Sequence, residues 1–361
     1  MNYSRTNFLA TISLTTLLFL LLLATTTSLA NENWPSFRGP DSLSTVSDDP
    51  LLPVTWSSTE NVAWKTPVQG LGWSSPVIWE NHIFVTTVIN EGDEEEPRMG
   101  LYFPYGSPET MVDPRFPDPK EGDLMERSPD RHHWVVSAID FDSGDMLWST
   151  EVHSGVPDFD RHLKNTYASS TPVTDGNRVY VYFGNLGVYA LDFDGTVVWE
   201  QRFDASSTRL GWGPAASPVL HDDKVFIVND NDEQSFVVAL DSETGQEHWR
   251  VNRNEGTNWS TPFVWENENR TELVTAGSDQ VRSYDLEGNL LWNFSGLNTI
   301  SIPQPFSAHG LLYVTSGYVG DNVRPVYAIR PGADGDITLL DGQSSSDYVV
   351  WYDDSAGPYH P

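Results

Sequence analysis

Short apolar runs separated by polar turns fill the chain from residue 74 onward, and the same order of signals recurs. Each unit opens with small or polar residues, a proline and then an apolar run; five openings occur, at Pro76, Pro172, Pro218, Pro262 and Pro305. Proline is tolerated at the first residue of a strand, where its missing N–H does not remove a hydrogen bond from the ladder. A turn signal and a second apolar run follow, as in Val173–Tyr180, where Asp-Gly favours a hairpin. The pattern predicts strands throughout.

The second half of each unit carries a further signature. An apolar strand ends in Asp, a turn containing Gly follows, and the next strand carries Trp. The four copies contain Asp140 and Trp148, Asp192 and Trp199, Asp241 and Trp249, and Asp285 and Trp292. Self-similarity at about 40–50 residues in a strand-rich chain is typical of a β-propeller in which each repeat is one four-stranded blade. We therefore predict an all-β propeller with five visible blades, in which these Asp and Trp residues are structural.

Two features depart from this regularity. An insert at 90–133 is rich in proline and acidic residues, and a structureless loop of this length is usually functional or disordered. A leader strand is expected at Asn61–Trp64, and the last residues after Trp351 look like the approach to another opening. Such a ring would have both edges unpaired, which native sheets avoid. We therefore expect a propeller at 61–361 that is incomplete at its C-terminal end.

The N-terminal 30 residues have the pattern of a signal peptide. Arg5 is followed by an apolar stretch from Phe8 to Ala24, and Ser28-Leu29-Ala30 supplies small residues before a cleavage point. The alternative is an uncleaved membrane anchor, whereas a lipoprotein is excluded because the chain has no Cys. We expect cleavage after Ala30, a leader segment at 31–60, and a periplasmic or secreted protein without stable membrane insertion.

Composition excludes several classes of function. The absence of Cys removes disulfides, Cys-ligated zinc or iron–sulfur sites and covalent c-type haem. The formal net charge of −31 argues against nucleic acid, because phosphates require a basic footprint. We expect no nucleic-acid partner and a monomer. No catalytic motif occurs: Gly211–Ala216 imitates a dinucleotide loop but leads into a strand, and Asp230–Gln234 lacks the glycine and final glutamate of a calcium loop.

The segments before each opening proline are the best candidates for a binding site. In a propeller the ends of the inner strands converge on one mouth, which would bring together residues from several blades. The candidate ligand-binding residues are Lys164, Asn165, Tyr167, Arg209, Trp212, Asn258, Trp259, Gln304 and Tyr318. Lys164 and Arg209 are notable because the chain has only 20 basic residues but 51 acidic ones. Basic and aromatic groups together suit an anionic or planar ligand. The alternative is that both cations close the ring by pairing with carboxylates.

The repeat Leu-Asp-x-x-Thr-Gly-x-x-x-Trp resembles the PQQ-type propeller repeat, which occurs in quinoprotein dehydrogenases and in the assembly lipoprotein BamB. The mature chain is similar over residues 33–361 to a secreted PQQ-binding-like propeller family found in planctomycetes. The segments that carry this resemblance are Trp34–Pro40, Asn61–Pro67, Gly72–Pro76, Lys164–Ser169, Asn258–Pro262 and Arg324–Gly332. The resemblance implies seven or eight blades in a complete protein.

Two functions follow from this resemblance. The first is a non-catalytic binding or assembly scaffold for a protein or glycan partner, without a cofactor. The alternative is a quinoprotein dehydrogenase with PQQ and calcium in the central channel. The resemblance implies a vicinal disulfide beneath PQQ in such enzymes, which a chain without Cys cannot form. A third option, an enzyme acting on polysaccharide, lacks a recognisable pair of carboxylates.

Overall fold

The computed structural model describes residues 33–46, 50, 52–93, 103–104, 124–125, 128–298, 300–318 and 321–359. These residues belong to the unit Asn33–Pro361. The predicted signal peptide and most of the predicted insert at 90–133 lie outside the described residues. Among the described residues, no helix has the length and apolar character that a membrane crossing requires.

The described residues contain strands and two single-turn 3-10 helices, Gly184–Leu186 and Arg209–Gly211, but no α-helix. The strands are β1 (Val77–Trp79), β2 (His82–Asn90), β3 (Phe103–Pro104), β4 (Leu124–Met125), β5 (His132–Asp140), β6 (Met146–Gly155), β7 (Val173–Thr174), β8 (Arg178–Tyr182), β9 (Val188–Asp192), β10 (Val197–Gln201), β11 (Val219–His221), β12 (Lys224–Asn229), β13 (Ser235–Asp241), β14 (Glu247–Arg253), β15 (Phe263–Glu266), β16 (Thr271–Ala276), β17 (Gln280–Tyr284), β18 (Leu290–Ser295), β19 (Phe306–Ala308), β20 (Leu311–Thr315), β21 (Val326–Ile329), β22 (Gly335–Asp336) and β23 (Val349–Asp353).

These strands form five antiparallel blades in chain order. Blade 1 is β1-β2-β5-β6, blade 2 is β7 to β10, blade 3 is β11 to β14, blade 4 is β15 to β18, and blade 5 is β19-β20-β21-β23. The first strands of successive blades contact one another, from β1 through β7, β11 and β15 to β19, and they are therefore the inner strands. Successive blades pack face to face through four apolar cores. The predicted all-β propeller of four-stranded blades is confirmed.

The burial of each strand follows from its place in a blade. In β12 the run Val225–Val228 is buried at every position, because neighbouring blades cover both faces of the sheet. The outer strand β14 instead alternates between exposed and partly buried residues over most of its length. Continuous apolar runs in the sequence therefore mark the middle strands, and alternating runs mark the outer ones.

The opening prolines and the Asp–Gly–Trp signature have clear structural roles. Each of the five opening prolines directly precedes the first residue of an inner strand. In blade 2, the Asp192 Oδ1 atom accepts the backbone N–H groups of Asp194 at 3.1 Å and Thr196 at 2.8 Å, which fixes the turn. Trp199 lies opposite Ala190 across the hairpin. The same pairing of Trp with a small residue occurs at Trp148 with Ala138, Trp249 with Ala239, and Trp292 with Ser283.

Three parts of the structure differ from the regular repeat. Asn61–Trp64, expected as a leader strand, joins no ladder among the described residues. Blade 4 has a fifth strand, because β22 pairs in parallel with β18 and places Gly335 opposite Trp292. In blade 5 the short Asp-containing turn is replaced by residues 330–348, which include β22.

Candidate functional site

The connections between blades all lie on one face of the ring, because four antiparallel strands return the chain to the side from which it started. We call this side the connection face, formed by residues 156–172, 202–218, 254–262 and 296–305. All of the predicted ligand-binding residues except Tyr318 belong to these connections in the sequence. The structure separates these residues into a cluster on the face and three buried positions.

Two tryptophans from adjacent connections form the centre of the cluster. The ring centroids of Trp212 and Trp259 are 6.0 Å apart, and the ring planes are inclined by 33°. Trp259 donates its indole N–H to the Gly213 carbonyl at 2.7 Å. The His162 ring stands nearly perpendicular to Trp212, at 5.5 Å between centroids. The pair therefore joins two connections and presents partly buried aromatic rings at the face.

Asn165 fastens its own connection to the next one. Its side-chain amide donates to the Trp212 carbonyl at 2.7 Å, and its Oδ1 accepts the Thr166 N–H at 2.9 Å and the Ser169 hydroxyl. Arg161 donates to the Asn165 carbonyl at 2.8 Å. The side chain of Asn165 is thus used to position Trp212.

Tyr167 is similarly engaged within the fold. Its hydroxyl donates to the Phe159 carbonyl at 2.8 Å, and its ring lies 6.0 Å from Trp134 and 5.5 Å from His132. The Arg161 guanidinium carbon lies 5.6 Å from the centre of the Tyr167 ring. Tyr167 therefore supports the cluster and holds Arg161 beside it.

The cluster contains several basic residues in a strongly acidic chain. Lys164 is exposed, and Arg161 and Arg209 are partly buried. Burial, together with the charges of Lys164 and Arg161, lowers the pKa of His162 to about 4. His162 is therefore neutral at physiological pH, and its Nδ1 accepts the Lys164 backbone N–H at 3.0 Å. The basic groups of the cluster are therefore the lysine and the two arginines.

Trp73, which is not among the predicted ligand-binding residues, extends this surface. Its side chain is 59% exposed, and its backbone N–H donates to the Ala168 carbonyl in the first connection at 3.1 Å. An exposed tryptophan of this degree is unusual, since large apolar side chains are normally buried. In the sequence, Trp73 is noticeable only because the segment Gly72–Pro76 is one of those that carry the family resemblance.

Asn258 lies in the interior and not on the face. It is 4% exposed, and its amide donates to the Asp230 carboxylate, which also pairs with Arg253. Tyr318 is also buried and packs edge-on against Tyr359, with 5.4 Å between ring centroids. Both residues contribute to packing between or within blades in this structure.

Gln304 faces a separate cavity at the centre of the ring. The cavity has a volume of about 400 Å³ and lies between the segment 36–43 and the inner strands β11, β15 and β19. Just before this segment, Trp34 pairs with Ile78 of β1 through two 2.8 Å backbone bonds, and the Thr174 N–H donates to the Pro35 carbonyl at 2.9 Å. The N-terminal segment thus enters the channel along blades 1 and 2 and leaves space beside blades 3 to 5.

The channel cavity does not fit PQQ, the cofactor that the repeat suggests. PQQ carries three carboxylates, whereas the lining residues that the structure describes include Asp41 and Glu266 but neither lysine nor arginine. Among the described residues, the only group of acidic and histidine ligands close enough to hold a metal ion is Asp223, in the turn between β11 and β12, with Asp241 of β13 and His248 of β14. There Lys224 pairs with Asp223 at 2.8 Å, and Asp241 is used in the hairpin turn. We derive no quinone or calcium chemistry from these residues.

Comparison with known proteins gives one family match. A family model described as outer membrane protein assembly factor BamB matches residues 132–262 and 194–346. No curated protein sequence matches the chain. Among solved structures, BamB from Moraxella catarrhalis is similar at 17% identity and a TM-score of 0.42, with 63% of this chain and 62% of that chain covered.

Two dehydrogenases are also similar in structure. The quinohemoprotein alcohol dehydrogenase from Comamonas testosteroni shows 15% identity and a TM-score of 0.49, with 82% of this chain and 46% of that chain covered. A europium-containing methanol dehydrogenase shows 10% identity and a TM-score of 0.42, with 74% and 49% covered. The alignments therefore cover from 46% to 62% of the length of these three proteins.

Proposed function

Since this chain belongs to the family described as outer membrane protein assembly factor BamB, we propose that it is a non-catalytic binding scaffold that works outside the cytoplasm. The family description names an assembly factor, a role that requires surfaces for partners and no reacting groups. The apolar run before Ser28-Leu29-Ala30 supports export. A rigid ring of blades with loops on its faces suits this role.

The observation that carries the proposal is the composition of the connection face. Trp73 is exposed beside the first connection, and the tilted rings of Trp212 and Trp259 pack together across the next two. Lys164 and Arg209 lie on the same connections in a chain whose formal net charge is −31. Aromatic residues and arginine are enriched where proteins bind partners, and exposed apolar groups rimmed by charge mark interaction sites.

The partner expected from this chemistry is a protein or glycan that carries acidic groups. Tryptophan rings pack against apolar side chains and against the C–H faces of sugars, while lysine and arginine pair with carboxylates. The neutral His162 adds a hydrogen-bonding group without adding charge. The acidic remainder of the surface repels acidic molecules, so binding is directed to this face.

A charge-reversal experiment tests the proposal. We would immobilise the mature protein and measure retention of alginate (an acidic glycan), dextran (a neutral glycan) and proteins of a periplasmic extract. The double variant Lys164→Glu/Arg209→Glu should lower retention of the true partner at least about tenfold, since it replaces attraction by repulsion at the face.

The matched control is Lys65→Glu/Arg330→Glu. It introduces the same change in charge at two exposed residues outside the connection face. Retention of alginate alone identifies a glycan partner, and retention of one extract protein identifies a protein partner. Equal losses in the two double variants would show a general charge effect and contradict the proposal, as would no retention of any probe by the folded protein.

A further inference from the structure

The cavity at the centre of the ring contains a buried acceptor that the fold does not satisfy. Gln304 is 3% exposed and lines the cavity. Its side-chain N–H donates to the Pro262 carbonyl at 3.0 Å, which fixes the orientation of the amide. Its Oε1 has no hydrogen-bond partner among the residues that the structure describes. Leaving such an oxygen unpaired is unfavourable, so a donor from a bound molecule would stabilise the site.

Both formally charged groups among the described lining residues are acidic. Asp41 and Glu266 line the cavity and are exposed, which places them at its opening. Arg38, in the same segment as Asp41, interacts with that carboxylate but is not among the lining residues. The two oxygens of Asp41 accept the Leu43 N–H at 3.0 Å and the Thr45 hydroxyl at 3.1 Å. Glu266 lies 3.9 Å from His221, too far for a hydrogen bond. Both carboxylates can accept further bonds, because each oxygen has two lone pairs.

The remaining walls favour a small organic group. Phe37 and Phe263 contribute aromatic surface, and Leu220 and Val264 contribute aliphatic surface. The faces of aromatic rings attract cations that approach them. A volume of about 400 Å³ is within the range of pockets that hold small molecules.

We propose that this channel cavity binds a small organic diammonium ion. One ammonium group donates an N–H to Gln304 Oε1 at the buried end, and the other faces Asp41 and Glu266 at the opening. Although Gln304 belongs to the last connection, the cavity lies between segment 36–43 and the inner strands, and the proposal does not depend on the proposed scaffold function. It is also opposite in charge preference to a site for PQQ.

Three probes of equal chain length separate charge from shape. We would titrate the mature protein by calorimetry with putrescine, 1,4-butanediol and succinate, which carry two ammonium, two hydroxyl and two carboxylate groups. Putrescine should bind saturably at one site. Butanediol should bind at least about tenfold more weakly, because charge-assisted hydrogen bonds are roughly twice as strong as neutral ones. Succinate should not bind.

Variants then locate the site. Gln304→Leu should weaken putrescine binding about tenfold by removing the buried acceptor. Glu266→Gln should weaken it several-fold, and because Glu266 is exposed this variant is expected to fold normally. Glu287→Gln, at an exposed turn of blade 4, is the matched control and should leave the affinity unchanged.

Four results would overturn the proposal. The first is an equal affinity of butanediol and putrescine, which would remove the role of charge. The second is an equal weakening of binding by Glu266→Gln and Glu287→Gln, which would indicate non-specific attraction to an acidic surface. The third is an unchanged affinity in folded Gln304→Leu, and the fourth is no heat with putrescine in the wild-type protein; either would mean that only water satisfies Gln304.

Discussion

Trp64 packs its indole ring directly on Gly144 in the hairpin turn of blade 1. A Cβ atom built on Gly144 would lie 2.4 Å from Trp64 Cδ2, and the indole N–H donates to the Phe141 carbonyl at 3.0 Å. Trp148 makes the same contacts with the turn of blade 2, at Gly195 and Phe193. Segment 61–66 therefore occupies the position of an outer strand that precedes blade 1, although it joins no ladder among the described residues.

This contact between blades predicts the effect of adding a methyl group at Gly195. A Cβ there would lie 2.6 Å from Trp148 Cδ2, at a φ of +86°. We expect Gly195→Ala to lower the free energy of unfolding by about 2–5 kcal/mol, from left-handed strain of about 1–2 kcal/mol and overpacking of about 1–3 kcal/mol. Urea denaturation followed by tryptophan fluorescence measures the loss.

Gly310→Ala is the control for this prediction. Gly310 has a φ of +76°, but a Cβ there meets no atom within 4 Å. Gly310→Ala should therefore lower the free energy of unfolding only by the left-handed strain, about 1–2 kcal/mol. Equal losses in the two variants would show that Trp148 does not press on Gly195.

Trp292 does not make the contact with the next blade that Trp148 makes. It is fully buried, and its indole N–H donates to Glu272 Oε2 in its own blade at 2.6 Å. The Glu272 carboxylate also accepts the Ser283 hydroxyl at 2.6 Å and the Asn267 amide at 3.0 Å, and it lies 3.2 Å from Arg270 Nε. We expect Glu272→Ala to lower the free energy of unfolding by about 3 kcal/mol or more, because several buried donors lose their acceptor.

The control for Glu272 is Glu268→Ala, at an exposed position in the same hairpin. Exposed substitutions of this kind usually change stability by less than about 0.5 kcal/mol. Thermal unfolding of both variants at pH 7 compares them. A small effect of Glu272→Ala would mean that water replaces the carboxylate in the interior.

Asp230, in the turn between β12 and β13, and Arg253, the last residue of β14, form a buried ion pair within blade 3. Two contacts of 3.0 Å join their side chains, neither of which is exposed. Asp230→Asn should lower the free energy of unfolding by about 3–5 kcal/mol, since it leaves the charge of Arg253 uncompensated in the interior. The double variant Asp230→Leu/Arg253→Met should lose less than the sum of its single variants. Additive losses in this double-mutant cycle, measured by urea denaturation, would contradict the pairing.

His162 predicts a dependence of stability on pH. Burial lowers its folded pKa to about 4 from the ordinary value of 6.5. A histidine with a lowered pKa contributes stability above pH 6.5, and this contribution is lost as the pH falls through about 4. The difference in unfolding free energy between the wild-type protein and His162→Gln should therefore decrease from pH 7 to pH 4. An NMR titration that shows His162 protonated near pH 6.5 would contradict this account.

The sequence was sufficient to predict most of the fold. The opening prolines directly precede the inner strands, and Asp192 and Trp199 have their expected places, because local turn chemistry and strand periodicity determine them. The fifth strand of blade 4 was missed. Residues 335–336 are a glycine and an aspartate, neither of which favours strands, and only the packing of blade 5 beside β18 brings them there.

The binding residues were harder to predict, because their surroundings depend on which blades meet. Lys164, Arg209, Trp212 and Trp259 lie on the connection face as expected, whereas Asn258 points into the ion pair of Asp230. The sequence around an asparagine that precedes an opening proline does not distinguish a side chain on the connection face from one in the interior. The channel cavity beside Gln304 could not be foreseen, since it depends on the course of residues 33–44 through the ring.

Site-specific photo-crosslinking tests the central claim, that the connection face holds a partner. One variant, produced in the cell, would have a photoreactive residue in place of Trp73. A second variant of the same protein would have this residue in place of Leu290, which is 54% exposed on strand β18 of blade 4. The account predicts one discrete adduct from position 73, none from position 290, and loss of the adduct when Lys164→Glu/Arg209→Glu is added. Equal adducts from both positions, or none from position 73 in the folded protein, would contradict it.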